Sequence, residues 1–213
     1  MKCIVLKLCI IIGMIFPVSS AFADSYDELL RAVKSGDIPA AEALFAKGLD
    51  VNTTDPDGNT LLMLAVRGDH FDVAKRLLQR QAKLAGRNRY GETALMLAAA
   101  KGDMELVDWM VKNGAGVNQS GWSPLIYAAW QGKTEVVKYL LKKGADIDAV
   151  SPNGVSALML ATRGGHFDTV KLLLWEVADP NIKSDSGATA LAWALKAGNT
   201  EIADLLKQAG AKE

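Results

Sequence analysis

A glycine returns at positions 58, 91, 121, 154 and 187, in steps of 33, 30, 33 and 33 residues. Two residues after each comes a Thr or Ser (Thr60, Thr93, Ser123, Ser156, Thr189), with a Leu two places and an Ala five places beyond it. A sixth copy comes first, beginning at Asp27 without the preceding turn. A unit this short is one supersecondary element and cannot bury its apolar side alone, so successive units must stack around a shared core. Half of the residues are hydrophobic, enough to supply it.

Each copy follows one physical grammar. Asp27, Thr60, Thr93, Ser123, Ser156 and Thr189 are good N-caps, whose side-chain oxygens can accept an orphan backbone N–H. Pro124 follows its cap at the first helical position, where a missing N–H costs nothing. The Leu and Ala then make a short helix, apolar on one face and small where another helix approaches. A turn glycine follows at Gly36, Gly102, Gly132, Gly165 and Gly198. The second helix carries apolar pairs such as Val136-Val137 and Leu140-Leu141, spaced for one face. It stops at Gly48, Gly114, Gly144 and Gly210, where glycine takes the left-handed conformation cheaply. Gln81 and Val177 stand at the same place in their copies. A Val at positive φ is strained, so a different helix end is expected there.

This pattern, clearest in Gly121–Gly132 with Tyr139–Asp148, resembles the ankyrin repeat, and the resemblance covers residues 25–213. It implies an all-α ankyrin-repeat solenoid of six stacked helix pairs joined by β-turn fingers. The repeats fall at approximately 25–54, 55–87, 88–117, 118–150, 151–183 and 184–213. The fingers and first helices of such a solenoid line its concave face. The sequence departs from the family's Thr-Pro-Leu-His at the fourth place, which holds Met63, Met96, Ile126, Met159 and Ala192. The family's imidazole bonds between neighbouring units, so the seam here is expected to rely on apolar packing, with Met as a gap-filler. A metal site shared by these methionines is excluded. Units stack about 8–10 Å apart, whereas metal–sulfur bonds are near ~2.3 Å.

The first 23 residues have another character. Lys2 and Lys7 form a basic start, Leu8–Phe16 is apolar, and Ala21-Phe22-Ala23 makes an A-x-A cleavage pattern. This is the layout of a secretory signal peptide, 1–23, cleaved before Asp24. The apolar run is shorter than the ~20 residues a membrane-spanning helix needs. A lipoprotein signal fits less well still, because Cys9 lies too near the start and small residues do not precede it. The expected mature chain, 24–213, is therefore periplasmic or secreted. Cys3 and Cys9 both fall in the removed segment, leaving no thiol to mispair in an oxidising compartment. Loss of Lys2 and Lys7 leaves 22 basic against 24 acidic residues, a net charge of −2. Such near-neutrality argues against a general nucleic-acid or membrane-surface binder.

Nothing in the sequence assembles chemistry. His70 and His166 occupy matching places three repeats apart, hence about 30 Å from each other. They cannot share a ligand or a proton, and each is expected to orient the turn before a second helix. There is no G-x-S-x-G, no phosphate-cradling Gly loop and no H-E-x-x-H. Asp55 and Asp57 sit in a finger, where Asx turns account for them. Arg67-Gly68-Asp69 spells an adhesion tripeptide but falls inside a repeat. Asn52-Thr53-Thr54 and Asn118-Gln119-Ser120 fit glycosylation acceptors only in a eukaryotic source. The expectation is a non-enzymatic protein with no cofactor and no metal.

The resemblance directs a partner to the finger tips and the ends of the first helices. The residue seven places after each cap reads Lys34, Arg67, Ala100, Trp130, Arg163, Lys196, with Lys101 beside Ala100 and Gln131 beside Trp130. The fingers add Asp57, Arg89, Tyr90, Glu92, Trp122 and Asn153. Trp, Tyr and Arg dominate interface hot spots, so Trp122, Trp130, Tyr90, Arg89, Arg67, Lys101, Gln131, Arg163 and Lys196 are the candidate binding residues. Trp109, Trp175 and Trp193 are expected to pack instead. The three residues missing from the finger before repeat four should leave a notch in the row of tips, bordered by Trp122 and Trp130. The partner expected is another protein, bound by a monomer. The alternative is a chaperone-like stabiliser of an exported enzyme, acting without a discrete epitope.

Overall fold

In the computed structural model, backbone is described for residues 18–212 and side chains for 24–212. The expected signal segment therefore lies largely outside the described residues. Among them are twelve helices in six pairs: α1 (Val18–Ser35) with α2 (Ile38–Ala46), α3 (Leu61–Arg67) with α4 (Phe71–Gln79), and α5 (Ala94–Lys101) with α6 (Met104–Lys112). The series continues with α7 (Pro124–Trp130) and α8 (Thr134–Lys142), α9 (Ala157–Arg163) and α10 (Phe167–Trp175), and α11 (Ala190–Lys196) and α12 (Thr200–Gln208). First helices pack on first helices and second on second, so the chain is an all-α solenoid. No helix among the described residues is long and apolar enough to cross a membrane.

The caps act as the sequence grammar requires in five of the six units. Thr60, Thr93, Ser123, Ser156 and Thr189 accept the N–H three residues on, at 3.2–3.3 Å. Asp27 does not. It lies inside α1, which runs from Val18 across Ala23 and Asp24, and a cap needs the extended backbone that a mid-helix residue lacks. The leucines and alanines of the grammar are buried in one continuous core, from Leu29 and Ala32 to Leu191 and Ala194. Met63, Met96, Ile126 and Met159 are buried in the seams, as gap-filling requires. Met96 does more, its sulfur accepting the Thr93 N–H at 3.4 Å. Ala192, in the sixth unit, is exposed.

The second helices end alike, including the two where a different ending was expected. Gln81 and Val177 adopt φ of 62° and 67°, the left-handed conformation found at Gly48, Gly114, Gly144 and Gly210. The reason lies in the next residue of each copy. Ala82 and Ala178 are buried and donate to Leu77 O and Leu173 O at 3.0 Å, as Ala115 does to Met110 O. Seating that Ala fixes the preceding residue at positive φ, whatever its side chain.

Beyond four of the second helices a side chain reaches to the next unit. Asn52, Asn118, Asp148 and Asn181 accept the N–H of Lys83, Asp146, Asp179 and Lys212 at 2.8–2.9 Å. Ala85 stands at the corresponding place in repeat two and has no oxygen to offer. A cleft of about 610 Å³ opens there, lined in part by Gln81, Ala85, Trp109 and Gly114.

Four fingers close as hairpins, through Asp55 N–H to Asn59 O, Asn88 to Glu92, Ser151 to Val155 and Ser184 to Ala188, at 2.9–3.1 Å. Neighbouring fingers are tied by Arg89 N–H to Asp57 O and Asp185 N–H to Asn153 O, both 3.0 Å. The fourth finger, missing three residues, has neither kind of bond among the described residues.

Candidate functional site

Repeat four presents an aromatic cluster at that interruption. Ser123 caps α7, so Trp122 is the residue before the cap and Tyr127 the fourth in the helix. These two places meet in a hydrophobic staple, and the rings stand edge to face with centroids 5.7 Å apart. Trp130 lies three residues on, one turn along the same face. It is 6.4 Å from Tyr127 at 78° and 6.5 Å from Trp122, stacked at 30°. Trp122 is half-buried against the core. Trp130 stays 46 % exposed at the end of its helix. The short finger thus borders an accessible indole instead of hiding both rings in a repacked seam.

Tyr127 fixes the cluster to the preceding repeats. Its hydroxyl donates to Glu92 at 2.9 Å, and Glu92 also accepts from Asn88 at 2.7 Å and pairs with Arg67. Burial, and then the bond to Glu92, pushes the phenol above its ordinary pKa, so it remains a donor at any physiological pH. Arg67, expected to face a partner, is thereby committed within the stack.

The other basic candidates divide by position. Lys101 pairs with Asp69 at 2.7 Å and Arg89 with Asp57 at 2.8 Å. The Arg89 guanidinium also lies 4.8 Å over the ring of Tyr90, which is 59 % exposed. Towards the C-terminus the cations lack carboxylates among the described residues. Arg163 lies 5.8 Å over the ring of Trp193, and with Lys196 and Ala197 these residues line an open cleft of about 390 Å³. Gln131, the C-cap of α7, is exposed beside Trp130. The nine candidates therefore fall into two groups. Arg67, Arg89, Tyr90 and Lys101 belong to a self-paired N-terminal half. Trp122, Trp130, Gln131, Arg163 and Lys196 occupy a C-terminal half that has no ion pairs among the described residues.

Two tryptophans depart from the packing role. Trp193 packs partly on the core but also floors the Arg163 cleft. The sequence signal was its place four after the cap, which Tyr127 shares. Trp175 is 82 % exposed, a clear correction. It lies two residues past buried Leu173, about 200° around a helix of ~3.6 residues per turn, and so faces solvent. Trp109 is half-buried against the core, as expected.

The histidines reach farther than the turns they precede. His70 Nε2–H donates to Lys34 O and His166 Nε2–H to Trp130 O, each at 2.9 Å in the preceding repeat. The His166 ring lies so close to Gly132 and Gly164 that a Cβ on either would stand within 2.5 Å of it. Imidazoles absent from the seam thus bridge units from the helix–helix turn. No group of three His, Cys, Asp or Glu that could hold a metal occurs among the described residues.

The Ankyrin repeats family model matches residues 29–119, 82–151 and 147–213, together most of the chain. The solved human ASB11 ankyrin repeat domain superposes with a TM-score of 0.77 at 29 % identity, over 86 % of this chain and 84 % of that one. Curated relatives include the Ankyrin repeat and KH domain-containing protein mask-1 of Caenorhabditis elegans, 36 % identical over 94 residues. A Probable E3 ubiquitin-protein ligase XBOS31 of Oryza sativa subsp. japonica is 36 % identical over 96. These alignments cover 42 % and 44 % of this chain but only 4 % and 21 % of those proteins. The chain belongs to the ankyrin-repeat family, whose members are typically protein–protein interaction modules.

Proposed function

We propose that this ankyrin-repeat protein is a non-catalytic module that binds another protein on its concave face, with repeat four at the centre of contact. One observation carries the reading: Trp130 is half exposed while its ring is already held by Trp122 and Tyr127. An exposed aromatic with fixed rotamers loses little entropy on binding and is the residue type that anchors hot spots. Trp122 and Gln131 flank it, and Arg163 and Lys196 extend the surface towards the C-terminus. Arg67, Arg89, Lys101 and Tyr90 contribute as a neutralised rim.

The module acts outside the cytoplasm, in the periplasm or secreted, on the strength of the basic, apolar and A-x-A segments of residues 1–23. Affinity capture from the native cell envelope tests the binding reading. A stoichiometric partner retained by the wild type and lost with Trp130→Ala is the supporting result. A partner indifferent to that substitution removes the site, and many transient unfolded clients would favour the stabiliser instead. N-terminal sequencing of the protein recovered from the envelope tests the export reading, with Asp24 as the expected first residue.

A further inference from the structure

Three of the five candidate cations are already paired with carboxylates of neighbouring units. Arg67 is held by Glu92, Lys101 by Asp69 and Arg89 by Asp57. Arg163 and Lys196 differ, because neither has a carboxylate partner among the described residues. Asp185, in the last finger, lies against Gly154 of the neighbouring finger, its Oδ1 3.0 Å from where a Cβ would stand. The Arg163 guanidinium instead lies over the Trp193 ring, 5.8 Å from its centroid. Stacking occupies the face of a guanidinium and leaves its N–H edge to take a carboxylate in two parallel hydrogen bonds. Lys196 supplies a second point charge beside the same cleft.

Trp130, Arg163 and Lys196 hold the same place in three consecutive units. Stacked units lie about 10 Å apart, and an extended chain advances about 3.3 Å per residue. One unit therefore matches about three residues of an extended ligand, and two units about six. On the basis of the concave-face reading above, we propose that the surface recognises an extended acidic segment of a partner protein. The segment carries one apolar side chain for Trp122 and Trp130. It carries carboxylates about three and six residues away, for Arg163 and Lys196. Both chain directions satisfy this spacing.

Synthetic peptides titrated into the full chain, monitored by indole fluorescence and calorimetry, test it. The set holds a Leu or Phe anchor with Glu at the third and sixth positions, written in both directions. Controls have Gln at those positions, or both Glu moved next to the anchor. The spaced acidic peptide should bind more tightly than both controls, with affinity falling as salt rises. Arg163→Glu and Lys196→Glu should each weaken it about five- to thirtyfold, as an exposed attraction becomes a repulsion of like size. Neither should change binding of the Gln peptide. Binding that requires Trp130 but ignores the carboxylates or their spacing overturns the acidic motif and leaves the concave-face reading intact. No peptide binding that depends on Trp130 overturns both.

Discussion

Val177→Gly should make the protein more stable although it removes an apolar side chain. Val177 sits at φ of 67° and is 81 % exposed. Holding an L-residue in the left-handed region costs about 1–2 kcal/mol, and the branched Cβ of Val places it towards the upper end. Glycine removes that strain but makes the unfolded chain more flexible, at a cost of about 0.5–1 kcal/mol. The side chain is so exposed that little burial is forfeited. The net gain is about 0.5–1.5 kcal/mol, and for a chain of this size 1 kcal/mol is about 2–4 °C in Tm. Thermal and urea melts monitored by circular dichroism at 222 nm read both. Gln81→Gly should gain less, since Gln is unbranched, and Gly144→Val should lose what Val177→Gly wins. If Val177→Gly melts at or below the wild-type temperature, the idea that buried Ala178 dictates the backbone is wrong.

Contacts between units set three further outcomes. Ala85→Asn should supply the missing rung of the side-chain ladder by accepting from Gly116 N–H, adding about 1 kcal/mol and slowing exchange of that amide. His166→Ala should lower stability by about 1–2 kcal/mol, since the Trp130 carbonyl loses its donor and a void forms between Gly132 and Gly164; Gly132→Ala should also destabilise, as its Cβ would strike the ring. The hydrogen bonds from Arg80 hold the Glu42 carboxyl below its ordinary pKa. That contribution is full above the unfolded value of about 4.3 and is lost as pH falls through the folded one; Glu42→Gln should flatten the stability profile below about pH 4.5, measured by urea midpoints across pH.

The repeat itself was legible because it is written in local chemistry. Thr60, Thr93, Ser123, Ser156 and Thr189 cap the helices they precede, and the Leu and Ala spacing places the core. Asp27 misled because one residue type serves both caps and exposed helix positions, and no glycine or proline interrupts Val18–Ser35. Val177 misled because local preference was outweighed by the burial of the adjacent Ala178, which only the packed neighbour reveals. The candidate site was legible as a stripe, but not its division into paired and unpaired cations. That division depends on which acid, Glu92, Asp69 or Asp57, reaches across from an adjacent unit. Trp175 showed the limit of assigning Trp to packing by its membership of a second helix, since two residues of helix separate a core position from open solvent.

The shortened fourth finger also has a mechanical consequence. Backbone bonds join fingers two and three, and fingers five and six, while the helices run on uninterrupted. The molecule is therefore a continuous spine carrying two separate plates, joined across the gap by the packed first helices of repeats three to five. A segment lying from Trp130 to Lys196 would begin at that joint and run along the second plate. Its anchor would work as a splint, and the stiffness of the stack would become a property shared between the protein and what it holds.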